Sequence, residues 1–190
     1  METTLHLVRL AKIIWLVRQK TLRRLMVGLV VLLGLSMAQG TRFSLGGTGD
    51  TVASASSGGV WLEVSGYSTD PERLEPWLRA SFYGENDGQF LFGFRSRQDM
   101  GSAQFSLSMG FGLRDSDMKQ YHQQTDLISL LFESLFLIGA VKVMRTEIGL
   151  GLDFLLDELV GLNLEAYGSG SIIGGLSYGF RGGVSLRLGR

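Results

Sequence analysis

The chain has 190 residues, enough for one ordinary domain, and no cysteine, which excludes a disulfide framework and any thiolate metal site. Its 18 basic and 18 acidic residues cancel, but unevenly: Arg9, Lys12, Arg18, Lys20, Arg23 and Arg24 face only Glu2 within residues 1–39. The remainder is therefore acidic, which argues against a nucleic-acid partner.

Taken in chain order, Arg23-Arg24 is followed by "LMVGLVVLLGLSMA", an apolar run ending in the small-x-small site Ser36-Met37-Ala38. Residues 1–38 read as an export signal cleaved after Ala38, with an over-extended start before Leu22. The competing reading is an uncleaved anchor, but residues 25–38 fall short of the roughly 17–25 residues that a spanning helix needs. Residues 39–57 are Gly/Ser/Thr-rich and read as a flexible lead-in.

From residue 58 the pattern changes to strict alternation, the period of a strand with two unlike faces. "VWLEVSGY" (60–67) sets Val60, Leu62 and Val64 against Trp61, Glu63 and Ser65. "WLRASFYG" (77–84) sets Leu78, Ala80 and Phe82 against Arg79, Ser81 and Tyr83. "QFLFGFRSR" (89–97) sets Phe90, Phe92 and Phe94 against Gly93, Arg95 and Arg97. "SAQFSLSMGFGLR" (102–114) continues it and ends on Arg114. After an insertion come 147–154, with Glu147 and Asp153 opposite Ile148 and Leu152, and 159–167, with Glu165 opposite Leu164. Two further segments, 172–180 and 184–189, are separated by "RGG", and the last carries Arg187. The expected count is eight strands joined mostly by short hairpins.

Residues 115–146 break the alternation. "RDSDMKQYHQQ" reads as a polar linker, and "TDLISLLFESLFLIG" as an apolar helix over 126–138 with Thr125 or Asp126 as N-cap. The alternative is two more strands broken at Glu133-Ser134, giving ten.

The polarity of the two faces decides the setting. A soluble sheet arms its solvent face with charged side chains, and glycine there weakens the strand without return. Here the polar face carries Gly93, Gly110, Gly112, Gly149, Gly151, Gly161, Gly175 and Gly179. Turned inward, those glycines relieve crowding inside an eight-stranded barrel, whose interior is just wide enough to be filled by side chains. The same parity brings acids and bases together. The expected lumen network is Glu63, Arg79, Arg95, Arg97, Arg114, Glu147, Asp153, Glu165 and Arg187, in a structural role. The Phe- and Leu-rich face then meets lipid, and a closed barrel satisfies its backbone hydrogen bonds within a bilayer.

The export-signal start, the eight alternating strands and the Gly/Ser/charged inward parity resemble the small bacterial outer-membrane β-barrel proteins of OmpA- and OmpX-like architecture. That resemblance covers residues 58–189 and implies an all-β, antiparallel, up-and-down transmembrane β-barrel, with one apolar helix inserted between strands 4 and 5. It also implies the outer membrane of a Gram-negative bacterium as location and its lipid bilayer as partner. One departure is the end, Leu188-Gly189-Arg190, where such barrels commonly carry an aromatic residue.

With a periplasmic N-terminus, this strand set puts 68–76, 98–101, 155–158 and 181–183 outside, and 85–88, 168–171 and the 115–146 insertion inside. Tyr67, Trp77, Tyr83 and Tyr178 near strand ends fit an aromatic girdle.

No catalytic, metal or cofactor site is expected. "GLSYG" (175–179) matches the G-x-S-x-G nucleophile pattern, but Ser177 lies mid-strand rather than on a strand-to-helix turn. A Ser–His pair needs an orienting acid and hydrogen-bond geometry, and His122 sits in a polar linker expected on the inner side, the wrong side for outer-leaflet chemistry. Asp115, Asp117, Asp153, Asp157 and Glu158 do not reproduce an EF-hand spacing. The expected function is structural or interaction-based; the alternatives are a soluble periplasmic ligand-binding barrel and a lipid-modifying barrel enzyme.

Overall fold

A computed structural model describes residues 40–188, apart from 53–54, 69, 71–72, 85–86, 127–128 and 130–137. The expected signal peptide lies outside the described residues.

Eight antiparallel strands pair in chain order and close into a barrel, β8 pairing with β1. They are β1 (Gly40–Val52), β2 (Ala55–Tyr67), β3 (Glu75–Tyr83), β4 (Asp87–Asp99), β5 (Ala103–Arg114), β6 (Arg145–Leu155), β7 (Val160–Ser171) and β8 (Gly175–Leu188). Lengths run from 9 to 14 residues, near or above the roughly 9–11 that a tilted strand needs to cross a bilayer. Local chemistry sets the reversals. Gly101, at φ +81°, lets Met100 N–H reach the Ala103 carbonyl at 2.8 Å. Asp157 Oδ1 accepts from the Leu159 and Val160 N–H groups at 2.7 and 2.6 Å, turning β6 into β7.

The eight strands are not the eight expected. The lead-in is a strand: Arg42, Ser44, Thr48 and Asp50 point inward, while Phe43 and Leu45 point outward. Its glycines and threonines imitate linker composition, yet the pairing Arg42↔Ser65 through Gly49↔Gly58 is unbroken. At the other end, 172–180 and 184–189 belong largely to one strand, β8. Gly182 and Gly183, read as a turn, pair within the ladder with Gly47 and Gly46.

Adding a strand at the start reverses the ends. The connections 68–74, 100–102 and 156–159 share one end with Gly40 and Leu188, called here the terminal end. The β1–β2, β3–β4 and β7–β8 connections share the opposite end with the insertion between β5 and β6. The groups of loops hold together as expected, apart from 181–183, but their sides relative to the N-terminus are exchanged.

The insertion opens with a helix, α1 (Asp115–Gln124), where a polar linker was expected; a second, α2 (Ile138–Val143), leads into β6. Asp115 and Asp117 suit the positive end of α1. Asp87 Oδ1 accepts from Ser116 N–H at 3.0 Å, supplying from β4 the cap that Arg114 does not. Most of the apolar 126–138 segment lies outside the described residues. Asp126 Oδ1 accepts from Ser129 N–H at 2.7 Å, the bond of an N-cap.

Polarity is inverted relative to a soluble domain. Phe94 and Leu150 are 51% and 52% exposed, whereas Arg79 and Glu63 are 1% and 3% exposed. A soluble ligand-binding barrel requires the reverse, an apolar interior.

Candidate functional site

The inward parity of every strand converges on one lumen, where charged and aromatic side chains stack in layers. The middle layer is centred on Arg79. Its Nε and one terminal nitrogen donate to Glu63 at 2.9 and 2.6 Å, and the guanidinium also reaches Glu147 and Glu165, each at 2.7 Å. Arg95 donates twice to Glu63, at 2.6 and 2.9 Å. Arg181 donates to Glu147 at 2.8 and 2.5 Å and to Glu165 at 3.2 Å. Three guanidiniums thus neutralise three carboxylates, with bonds to nearly every carboxylate oxygen. Buried ions persist only when paired and hydrogen-bonded in this way.

Above it, towards the insertion, Arg114 pairs with Asp50 and with Asp87, the latter at 2.8 Å. Tyr83, Tyr167, Gln89 and Thr48 form a hydrogen-bonded group at 3.1–3.3 Å. At the mouth, Asp117 of α1 accepts two bonds from Arg145, both at 2.9 Å, and one from Ser171 at 2.9 Å. The helix is thereby pinned into the barrel rim.

The lower layer, at the terminal end, holds Arg42 against Asp153 at 3.2 Å, and Arg97 against Glu75 at 3.2 Å and Asp153 at 3.5 Å. Arg187 donates to Tyr67 Oη at 3.2 Å and to Gln104 Oε1 at 3.0 Å.

All nine residues expected to face the lumen do so, but they are not one connected set. Glu63, Arg79, Arg95, Glu147 and Glu165 are joined in the middle layer, and Arg97 and Asp153 in the lower one. Arg114 belongs to the upper layer, and Arg187 binds neutral partners. Sequence reasoning missed Arg42, Asp50, Glu75, Asp117, Arg145 and Arg181. Arg42 and Asp50 lay in the supposed lead-in, Arg181 in the supposed turn and Asp117 in the supposed linker. Unbroken parity through Ser177, Gly179, Arg181, Ser185 and Arg187 was the signal for Arg181.

The aromatic girdle is corrected too. Trp77 and Tyr83 are buried in the lumen, Tyr67 is half-buried beneath Arg187, and only Tyr178 faces outward. Inward aromatics carry arginines on their faces: Arg79 lies 4.6 Å from the Trp77 ring and 5.6 Å from Trp61, and Arg181 lies 3.6 Å from Tyr167. Glycines make the room. A Cβ on Gly93 or Gly110, in the row Trp77↔Gly93↔Gly110, would stand 2.6 Å from Trp77 Cζ2.

The lumen is nearly solid. A cavity beside Arg42, Asp153 and Glu165 measures about 20 Å³, room for a single small occupant. Of the motifs weighed from sequence, Ser177 is on β8 and accepts from Arg145 at 2.9 Å, while His122 is half-buried on α1. Burial holds the His122 imidazole below its ordinary pKa.

No family model and no curated protein matches the chain. Among solved structures, a de novo designed transmembrane β-barrel is similar with a TM-score of 0.55 and 8% identity, over 80% of this chain and 97% of that one. The outer membrane protein OprG from Pseudomonas aeruginosa is similar with a TM-score of 0.44 and 12% identity, over 80% of this chain and 100% of that one. Neisserial surface protein A gives 0.43 and 11%, over 77% and 95%. The first of these shows a shared fold, the transmembrane β-barrel.

Proposed function

We propose that this chain is a small outer-membrane β-barrel protein of a Gram-negative bacterium, acting as a structural or interaction protein rather than as a pore or an enzyme. The inverted polarity carries this reading: an apolar outer wall around a neutralised ionic core is stable in lipid and unstable in water. With both termini periplasmic, the short 68–74, 100–102 and 156–159 connections lie inside, and the 115–144 insertion stands at the cell surface. That arrangement, short turns within and the longest loop outside, is usual for such barrels. The plugged lumen argues against conduction. Ser177 is committed to Arg145 within a strand, which argues against a nucleophile. Interaction with other molecules then falls to the surface insertion, whose first helix, α1, is held on the barrel rim by the Asp117–Arg145 pair.

The test is envelope fractionation combined with an epitope inserted after Gln124. The protein is expected in the outer-membrane fraction, migrating faster on SDS gels before boiling than after, with the epitope labelled on intact cells. Recovery in the detergent-free soluble fraction would overturn the membrane reading. Labelling only after permeabilisation would overturn the orientation.

A further inference from the structure

The lower lumen layer is the one place where the ionic core does not balance. Arg42, Arg97 and Arg187 meet there, and the carboxylates buried among them are Glu75 and Asp153. Glu63, the next carboxylate up, is saturated by Arg79 and Arg95 and stands 4.0 Å from Arg42. Asp99, at the rim, is exposed and accepts from Gln104 at 2.5 Å. Solvent therefore screens it from the arginines within. One positive charge in the layer is left uncompensated.

Hydrogen-bond donors are left over in the same place. Among the described residues, Arg42 Nε, Arg187 Nε and all three Arg97 nitrogens lack a partner in hydrogen-bonding geometry, as do the Ser44 and Ser65 hydroxyls; the one idle acceptor beside them is Glu75 Oε2, 3.2 Å from Arg97 Nη1. Each of these side chains belongs to a residue more than nine-tenths buried. The register aligns Arg42 with Ser65 on β2 and with Arg187 on β8, Ser44 is the next inward residue on β1, and Arg97 meets Arg42 at Asp153 Oδ2. A buried guanidinium with idle N–H groups is expensive unless something accepts from it. The middle layer, built from the same residue types, leaves no such concentration of idle donors.

We propose that this layer binds one small monovalent anion of halide size, held by Arg42, Arg97 and Arg187 with the Ser44 and Ser65 hydroxyls. An anion supplies both missing quantities, one negative charge and several acceptor directions, whereas water supplies only acceptors. Size follows from packing: the cavity that Arg42 and Asp153 line is about 20 Å³ and does not extend to Arg97 or Arg187, so an occupant between the three arginines is limited to a single-atom ion. Access is from the terminal end, where Tyr67 and Ser68 are only half-buried. The site is independent of what the surface insertion binds.

The test uses the folded barrel in detergent, with bromide as the probe. Crystals grown in sodium bromide should show one anomalous peak among Arg42, Arg97 and Arg187. The midpoint of thermal unfolding should rise saturably with sodium bromide, but not with sodium gluconate at equal ionic strength. Arg187→Gln removes the surplus charge without breaking an ion pair, because Arg187 binds only Tyr67 and Gln104. That variant should lose the bromide dependence. A crystal with water alone in the layer would overturn the proposal, as would a bromide response undiminished in Arg187→Gln. If Arg187→Gln does not fold, the anomalous map of the unaltered protein decides.

Discussion

Replacing Arg79 by Met removes the side chain on which the middle layer turns. Four hydrogen bonds of 2.6–2.9 Å are lost, to Glu63, Glu147 and Glu165. Methionine fills much of the volume between Trp61 and Trp77, so the cost is electrostatic rather than a cavity. Breaking a buried pair by removing one partner costs about 3–5 kcal/mol, because a charge is left uncompensated. Here the survivors soften the loss: Glu63 keeps Arg95, Glu147 keeps Arg181, and Glu165 keeps Arg181 at 3.2 Å and Ser108 at 2.6 Å. The expected cost is therefore about 3 kcal/mol, the low end of that range. Urea unfolding of the barrel in phospholipid vesicles measures it, read from tryptophan emission, since the Arg79 guanidinium lies against both lumen indoles. Adding Glu165→Gln restores neutrality, so the double variant should cost about 1–3 kcal/mol less than the two single losses together. The exposed Arg73→Ala should stay within about 0.5 kcal/mol. A stability for Arg79→Met within about 1 kcal/mol of the parent, or strict additivity with Glu165→Gln, would refute the picture of a charge-balanced layer.

Other expectations follow from the same geometry. Gly110→Val should displace the Trp77 indole and cost about 1–3 kcal/mol or more, seen as a changed near-UV circular dichroism spectrum. Gly49→Val meets nothing within 4 Å and should leave the spectrum unchanged. Leu150→Arg, facing out opposite Leu107, should cost about 2–4 kcal/mol in vesicles if it sits near the bilayer midplane; a neutral or solubilising effect would count against lipid exposure. Asp117→Asn should loosen α1 from the rim, raising amide exchange over 115–124 while β1–β8 stay protected. The folded His122 pKa lies below the unfolded value, so above about pH 6.5 its neutral form makes no pH dependence. As pH falls through 6.5 the detached helix takes up the proton first, so α1 protection should drop, and His122→Gln should abolish that dependence.

How far the fold could be read depended on whether a segment's composition agreed with its period. In β4, Phe90, Phe92 and Phe94 against Gly93, Arg95 and Arg97 leave no ambiguity, and the lumen positions of Arg95 and Arg97 follow from counting by two. In β1, glycine and threonine look like linker chemistry, although Arg42-Phe43-Ser44-Leu45 already alternates. In β8, Gly182 and Gly183 look like a turn, although the inward parity passes through them. The two errors compensated in number but not in consequence, because a strand gained at the start exchanges the ends of the barrel. Trp77 and Tyr83 show the same conflict between local cue and parity. Their nearness to strand ends suggested an interface girdle, while their parity with Arg79 placed them inside, and parity prevailed. The insertion was hardest to read, since α1 has no apolar stripe and is held by Asp87 and Arg145 from distant strands. Tertiary partners of that kind leave no local signature.

The central claim is the direction in which each strand face points, and one series measures it directly. The native chain lacks cysteine, so single cysteines placed in turn at 104–111 of β5 can carry a nitroxide label in lipid vesicles. Collision with dissolved oxygen, which concentrates in hydrocarbon, should peak at Phe105, Leu107, Met109 and Phe111. It should fall at Gln104, Ser106, Ser108 and Gly110. The opposite phase, or water-soluble quenchers reaching the Leu107 and Met109 positions, would contradict the account.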